Sequence, residues 1–195
     1  MLTSRWFIRS FSMGLAAAAL VGFAGCATAV DKSEVEKKAN PVADLHKDVK
    51  AKQDAFEWYK YEDALVKARK EGKFVMIDFY ATWCKWCKKL DSDTYTDPKV
   101  IDAIKADFVP VKIDAESSAK VVHEMRQMSM AGLADEYKVG SYPALWFVDK
   151  DGGRAKLLNG YLPPEDFLKY LDYIKSGAYK NMEFEEYVKK GGAGK

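Results

Sequence analysis

Two cysteines three residues apart, in the run Cys84-Lys85-Trp86-Cys87, are the strongest chemical signal in this chain of 195 residues. At i and i+3 of a helix they share one face, within reach of a disulfide. The loop that such a bond closes is too short to restrain much chain entropy, so the pair reads as a redox couple rather than a structural staple. A thiol attacks as its thiolate, and an unperturbed cysteine, with a pKa of about 8.5, is mostly protonated at neutral pH. A helix starting at Cys84 supplies unpaired backbone N–H groups and the positive end of its dipole, and Lys85 and Lys88 add positive charge. Cys84 is then the attacking thiol and Cys87 the one that resolves the mixed disulfide. Half of a zinc site is the competing reading, but structural zinc takes four ligands, and His46 and His123 lie far off in sequence. No metal site is assigned, and no cofactor is expected beyond the Cys84–Cys87 disulfide itself.

The third cysteine, Cys26, belongs to a different kind of segment. Residues 1–29 have the parts of a secretory signal: a basic start with Arg5 and Arg9, an apolar stretch from Phe11 to Ala24, then small residues. The stretch is shorter than the about 20 apolar residues of a membrane span, so export is expected rather than a transmembrane anchor. Phe23-Ala24-Gly25-Cys26 resembles a bacterial lipobox, in which Cys26 becomes the lipid-modified first residue. Ala27-Thr28-Ala29 would instead permit ordinary cleavage before Val30. The lipoprotein reading is favoured, which places the protein on the periplasmic or cell-envelope side of a membrane, held there by its lipid. On either reading Cys26 is no redox thiol.

Arg5 and Arg9 are the only charged residues of the leader, and taking those 2 from the 31 Lys and Arg leaves 29 against 29 Asp and Glu. A balanced domain offers no argument for nucleic-acid binding. With 48% hydrophobic and 31% charged residues, the chain has material for a core and for a wettable surface.

The elements that must position the cysteines are legible around them. Residues 30–57 are charged, interrupted by Pro41, and read as a tether. Tyr61 to Arg69 predicts an amphipathic helix ended by Gly72. Phe74 to Tyr80 is a near-continuous apolar run, the pattern of a strand buried on both faces, and the cysteines follow it at once. A helix starts at Cys84 and another after Asp97-Pro98. Phe108 to Asp114 predicts a strand in which Pro110 argues for an edge or a strand start. Ser117 to Tyr137 is read as helical. Val139 to Pro143 is a turn into the strand Ala144 to Val148, and Asp149 to Gly153 a hairpin turn into Arg154 to Asn159. Pro163-Pro164-Glu165 opens a helix to about Ser176, and 177–195 form a helical extension whose last residues, from Gly191, fray. The order β-α-β-α-β-β-α describes an α/β fold, a central mixed sheet flanked by helices, over 58–176.

The run Phe79-Tyr80-Ala81-Thr82-Trp83-Cys84-Lys85-Trp86-Cys87-Lys88 resembles the active-site signature of the thioredoxin-like family. From Trp58 to Tyr173 the chain is similar to the C-terminal periplasmic domain of the transmembrane thiol:disulfide interchange reductase, notably in Thr96-Asp97-Pro98-Lys99-Val100 and in Tyr142-Pro143. The resemblance implies a thioredoxin fold and thiol-disulfide exchange. It departs in the Lys-Trp between the cysteines, where a thioredoxin has Gly-Pro, and in a longer segment between Asp114 and Leu133.

Asp78 stands six positions before Cys84, the place of the buried acid of thioredoxins. A carboxylate in so apolar a run is desolvated, which raises its pKa and suits it to take the proton of Cys87 through water; an Asp at a sheet edge, or one binding a loop N–H, is the alternative. Pro143 matches the family's cis-proline, leaving backbone groups of Tyr142 to pair with an extended substrate. Trp83 and Trp86 are expected beside Cys84 as substrate contacts, with plain packing the alternative for Trp83. The resemblance thus points to an extracytoplasmic dithiol reductase of protein disulfides, with a membrane thiol reductase as electron donor. An oxidase or isomerase would use the same residues in reverse. One cluster hints at other chemistry: His123, Met125, Met128 and Met130 would suit Cu(I), as in a copper-binding chaperone, but methionine is also a common core filler, and Met125 and Met128 share a face of the predicted helix.

Overall fold

The structure, a computed structural model, describes residues 56–192. The expected leader with Cys26, the expected tether up to residue 55 and the last three residues lie outside the described residues. Helix α1 (Tyr61–Glu71) places Tyr61, Ala64 and Ala68 on its buried face and stops where predicted, with Gly72 at φ 69° donating its N–H to the Ala68 carbonyl. That left-handed turn is the conformation glycine adopts without a steric penalty. Strand β1 (Phe74–Tyr80) follows, buried along its five central residues. Next come α2 (Lys85–Lys89), which runs on as a π-helical turn over Leu90–Thr94, then α3 (Pro98–Asp107) and β2 (Phe108–Asp114). Asp97 caps α3, its Oδ1 accepting the N–H of Lys99 at 2.9 Å and of Val100 at 3.2 Å, and Pro98 occupies the first turn, where its missing N–H costs nothing.

The sheet order is β2-β1-β5-β6, with β5 (Ala144–Val148) and β6 (Arg154–Asn159); β1 pairs parallel with β2 and antiparallel with β5. Pro110 does sit on an edge strand. Its carbonyl accepts from Tyr59 N–H at 2.9 Å on the outer side of β2, and a residue's N and O face the same side, so the ring nitrogen interrupts no ladder bond to β1.

Alternation along β1 divides the core. Val75, Ile77 and Phe79 pack with α1 and with Val109, Val111, Ile113 and Leu133. Met76 packs on the opposite face with Leu90, Val100, Ile104, Leu145, Phe147 and α5 (Pro164–Lys175) through Phe167, Leu171 and Ile174. Each fully buried Phe or Ile contributes about 1.5–3 kcal/mol. Asp78, two residues from Met76, belongs to this second face. A 3-10 turn (Ala178–Lys180) and α6 (Phe184–Lys189) continue past the sheet, with Phe184 packed 4.8 Å from the Tyr170 ring.

One expected element is wrong. Ser117 to Tyr137 is not a helix: it holds a hairpin, β3 (Lys120–His123) and β4 (Arg126–Ser129), followed by the short α4 (Met130–Glu136). Lys120-Val121-Val122-His123 alternates exposed and buried, the strand period rather than the helical one. Glu124 and Met125 form the two-residue loop at φ 48° and 62°, the left-handed pair that lets a tight hairpin follow the strand twist. The shared helix face of Met125 and Met128 therefore does not exist.

Candidate active site

β1 delivers the chain through Ala81 to Cys84, which caps α2. The Cys84 N–H donates to Ala81 O at 3.0 Å, closing the turn between strand and helix. Cys84 Sγ accepts the Cys87 N–H at 3.0 Å, and Lys88 N–H donates to Cys84 O at 3.3 Å. The helix start thus aims an amide at the sulfur, where a developing thiolate gains most. Cys84 and Cys87 are joined as a disulfide, with Cα atoms 5.3 Å apart. In this oxidised form both are buried, packed with Ala81, Tyr80 and Tyr142, so exposure alone does not set the two sulfurs apart.

The expected neighbours gather here. The Tyr142–Pro143 bond is cis, and Tyr142 packs against the cysteine cluster and edge-on to Trp83, with ring centroids 5.9 Å apart. Trp83 and Trp86 are both more than half exposed. The Trp83 Nε1–H donates to Glu116 at 2.9 and 3.1 Å, which fixes the indole beside Cys84. Trp86 lies 5.6 Å from the Tyr161 ring, which also carries Lys89 Nζ at 5.1 Å. Glu116 and Tyr161 were not foreseen, since nothing in a local pattern links them to residues 33 and 75 positions away.

Asp78 is 1% exposed, and burial raises its pKa to about 6, against the opposing pull of Lys112. It is not wholly unpaired. Oδ2 accepts from Tyr95 OH at 3.3 Å and lies 3.6 Å from Lys112 Nζ, while Oδ1 has no hydrogen-bond partner. Lys112 stands opposite Asp78 in the β1–β2 register and also pairs with Asp91 in the π-helical turn. Its ammonium lies 5.0 to 5.6 Å from the rings of Trp58, Tyr80 and Tyr95. Tyr95, buried beside Asp78, has its own pKa raised by burial and then by that carboxylate. The extra residue of a π-turn rotates the helix beyond it, and such turns recur at functional sites. Lys112 carried a usable signal, being the one charge inside an apolar strand run, as Asp78 is in β1. Tyr95 and Asp91 carried none.

The copper cluster is not assembled. His123 faces the core, with Nδ1 2.7 Å from Tyr61 OH, whereas Met125 is 97% exposed at the hairpin tip and Met128 and Met130 pack on the core beside β3. Among the described residues no helix is long and apolar enough to cross a membrane.

Comparison with known proteins agrees with this geometry. The pattern of a thioredoxin-like domain matches residues 61–175. The thiol:disulfide interchange protein DsbD of Haemophilus ducreyi is 31% identical over 107 residues, which are 53% of this chain and 17% of that protein. The chloroplastic thioredoxin-like protein HCF164 of Oryza sativa is 32% identical over 119 residues, 60% of this chain and 38% of that one. The chain thus spans less than a fifth of the DsbD relative and well under half of the plant protein. Of solved structures, a thioredoxin-fold protein from Helicobacter pylori superposes with a TM-score of 0.52 at 27% identity, covering 62% of this chain and 80% of that one. A thioredoxin from Thermus thermophilus gives 0.51 at 28%, covering 62% and 87%. The family match takes in the whole four-stranded sheet and the capped cysteine helix together, and on that ground the chain belongs to the thioredoxin-like family.

Proposed function

We propose that this protein is an exported dithiol reductase of protein disulfides, tethered to a membrane through a lipid on Cys26. In the reduced protein the Cys84 thiolate attacks a substrate disulfide, forming a mixed disulfide and expelling one substrate thiolate. Cys87 then passes its proton to Asp78 through water, and its thiolate attacks Cys84 Sγ. The second substrate sulfur leaves as a thiolate, which can take back the proton held on Asp78, and the Cys84–Cys87 disulfide forms, so two electrons pass to the substrate. A membrane thiol reductase restores the dithiol. The cis Tyr142–Pro143 segment and the exposed rings of Trp83 and Trp86 serve as the binding surface for an extended protein segment.

The observation that carries this reading is the pairing of an amide-stabilised Cys84 sulfur with a buried carboxyl poised at about pH 6. One group favours an attacking thiolate, and the other accepts a proton near neutral pH. The midpoint potential tests the direction. A value near the thioredoxin figure of about −270 mV agrees with a reductase, and one near about −120 mV would make the protein an oxidase. A Cys87→Ala variant, unable to resolve its mixed disulfides, should retain its protein substrates covalently on Cys84.

A further inference from the structure

The β3–β4 hairpin carries a second constellation that shares no residue with the disulfide site. His123 is 6% exposed, and its two ring nitrogens meet different surroundings. Nδ1 lies 2.7 Å from Tyr61 OH, which lies 3.0 Å from Tyr137 OH. Nε2 is buried and makes no hydrogen bond. It faces two carboxylates, Glu136 Oε1 at 3.4 Å and Glu124 Oε1 at 3.9 Å. One donor atom from each of the three residues falls within 4.8 Å of the other two.

An imidazole lone pair facing carboxylate oxygens, away from water, is a repulsive arrangement unless a cation lies between them. In the tautomer that donates from Nδ1 to Tyr61, Nε2 presents that lone pair, and the Tyr61–Tyr137 hydrogen bond holds the ring from behind. This is how metal-ligating histidines are oriented. The spacing fits. Ligand atoms 2.0–2.1 Å from a tetrahedral zinc are about 3.3 Å apart, close to the 3.4 Å between His123 and Glu136. The Glu124 side chain, 71% exposed at the loop, lies about 0.5 Å farther from Nε2 than Glu136 does, and all three donor atoms fall within 4.8 Å of one another.

The two carboxylates already attract a cation. Arg126 places one guanidinium nitrogen 3.0 and 3.2 Å from the oxygens of Glu136 and 3.7 Å from Glu124, and it is 59% exposed and free to swing away. We propose that His123, Glu124 and Glu136 form a site for a divalent ion of the zinc type, with water completing the coordination and Arg126 as the competing cation. One imidazole and two carboxylates select such an ion over Cu(I), which wants sulfur, and over Mg²⁺ and Ca²⁺, which want oxygen alone. Bound there, the ion would tie the hairpin to α4 and, through Tyr61, to α1.

Zn²⁺ titrated calorimetrically into the oxidised full chain should bind once per chain, and Mg²⁺ should not bind. Replacing Cys26, Cys84 and Cys87 with serine should leave that binding intact, which excludes thiols as the ligands. Tyr61→Phe should weaken it about 10–100-fold, the usual effect of losing an outer partner, and Glu136→Gln by at least as much. Arg126→Ala should tighten it. His123→Gln should abolish it; because His123 is buried, the half-exposed Glu136→Gln and exposed Glu124→Gln serve as the decisive variants if that protein does not fold. No binding by the wild type, binding unchanged in Glu136→Gln, or weaker binding in Arg126→Ala would each overturn the site and leave an ion-pair network alone.

Discussion

Asp78→Asn tests whether the buried carboxyl works for catalysis or only holds Lys112. The carboxyl's pKa moves from 3.8 to about 6 in the fold, so the native state holds this proton more tightly than the unfolded chain does. Stability from this group is therefore fully present below about pH 3.8 and is lost as pH rises through 6. The displacement corresponds to about 3 kcal/mol, the amount by which ionised Asp78 burdens the fold at pH 7–8. Asparagine resembles the protonated acid in shape and charge. Its carbonyl can keep the Tyr95 and Lys112 contacts while its NH₂ takes the place of Oδ1, which has no partner to lose. The variant should be more stable than wild type by up to about 3 kcal/mol at pH 8 and equal to it near pH 4, the difference growing between as the wild-type carboxyl ionises. Urea unfolding across pH 4–8 reads this directly, provided m is unchanged. On the same protein, resolution of a mixed disulfide should slow about 10²–10⁴-fold, and any inflection near pH 6 in the wild-type rate should vanish. A lower midpoint at pH 8 together with unchanged turnover would refute the reasoning and make Asp78 a structural partner of Lys112.

Lys112→Met removes the cation that opposes burial at Asp78, so that carboxyl's pKa should climb above 6 and the protein should lose about 2–3 kcal/mol at pH 8 but far less at pH 5. Adding Asp78→Asn should recover most of the loss, and strictly additive effects would deny the coupling. In the reduced protein, alkylation at mildly acidic pH should label Cys84 before Cys87, because the α2 amide faces the Cys84 sulfur; the opposite order would exchange their roles. Cys26→Ser should release the protein from membranes, since a diacylglyceryl anchor with an added acyl chain contributes about 0.8 kcal/mol per buried methylene. Finding Val30 at the amino terminus of membrane-free protein would dismiss the lipid anchor and leave the redox chemistry untouched.

Much of the active site was legible because its information is local. Cys84 and Cys87 sit one helical turn apart, just after an apolar strand, and Asp78 interrupts that strand at a fixed distance from them. Gly72, Asp97-Pro98 and Asp149 to Gly153 mark their turns by backbone chemistry that needs no distant partner. The hairpin at Lys120–Ser129 was misread because methionines and alanines downstream favour a helix, while the strand pairing depends on a loop of Glu124 and Met125, residues that seldom take positive φ. What no local pattern could show is who meets whom across the fold. Lys112 reaches Asp78 through strand register, Asp91 and Tyr95 reach them through a π-turn, and Glu116 reaches Trp83 across 33 residues. His123 meets two carboxylates instead of methionines because a strand, unlike a helix, turns its side chain into the core beside Tyr61. The sequence by itself thus determined the family and the cysteine pair at the start of its helix. Only the tertiary structure decided the charges around those groups, because desolvation and pairing depend on neighbours that the chain brings together from far apart.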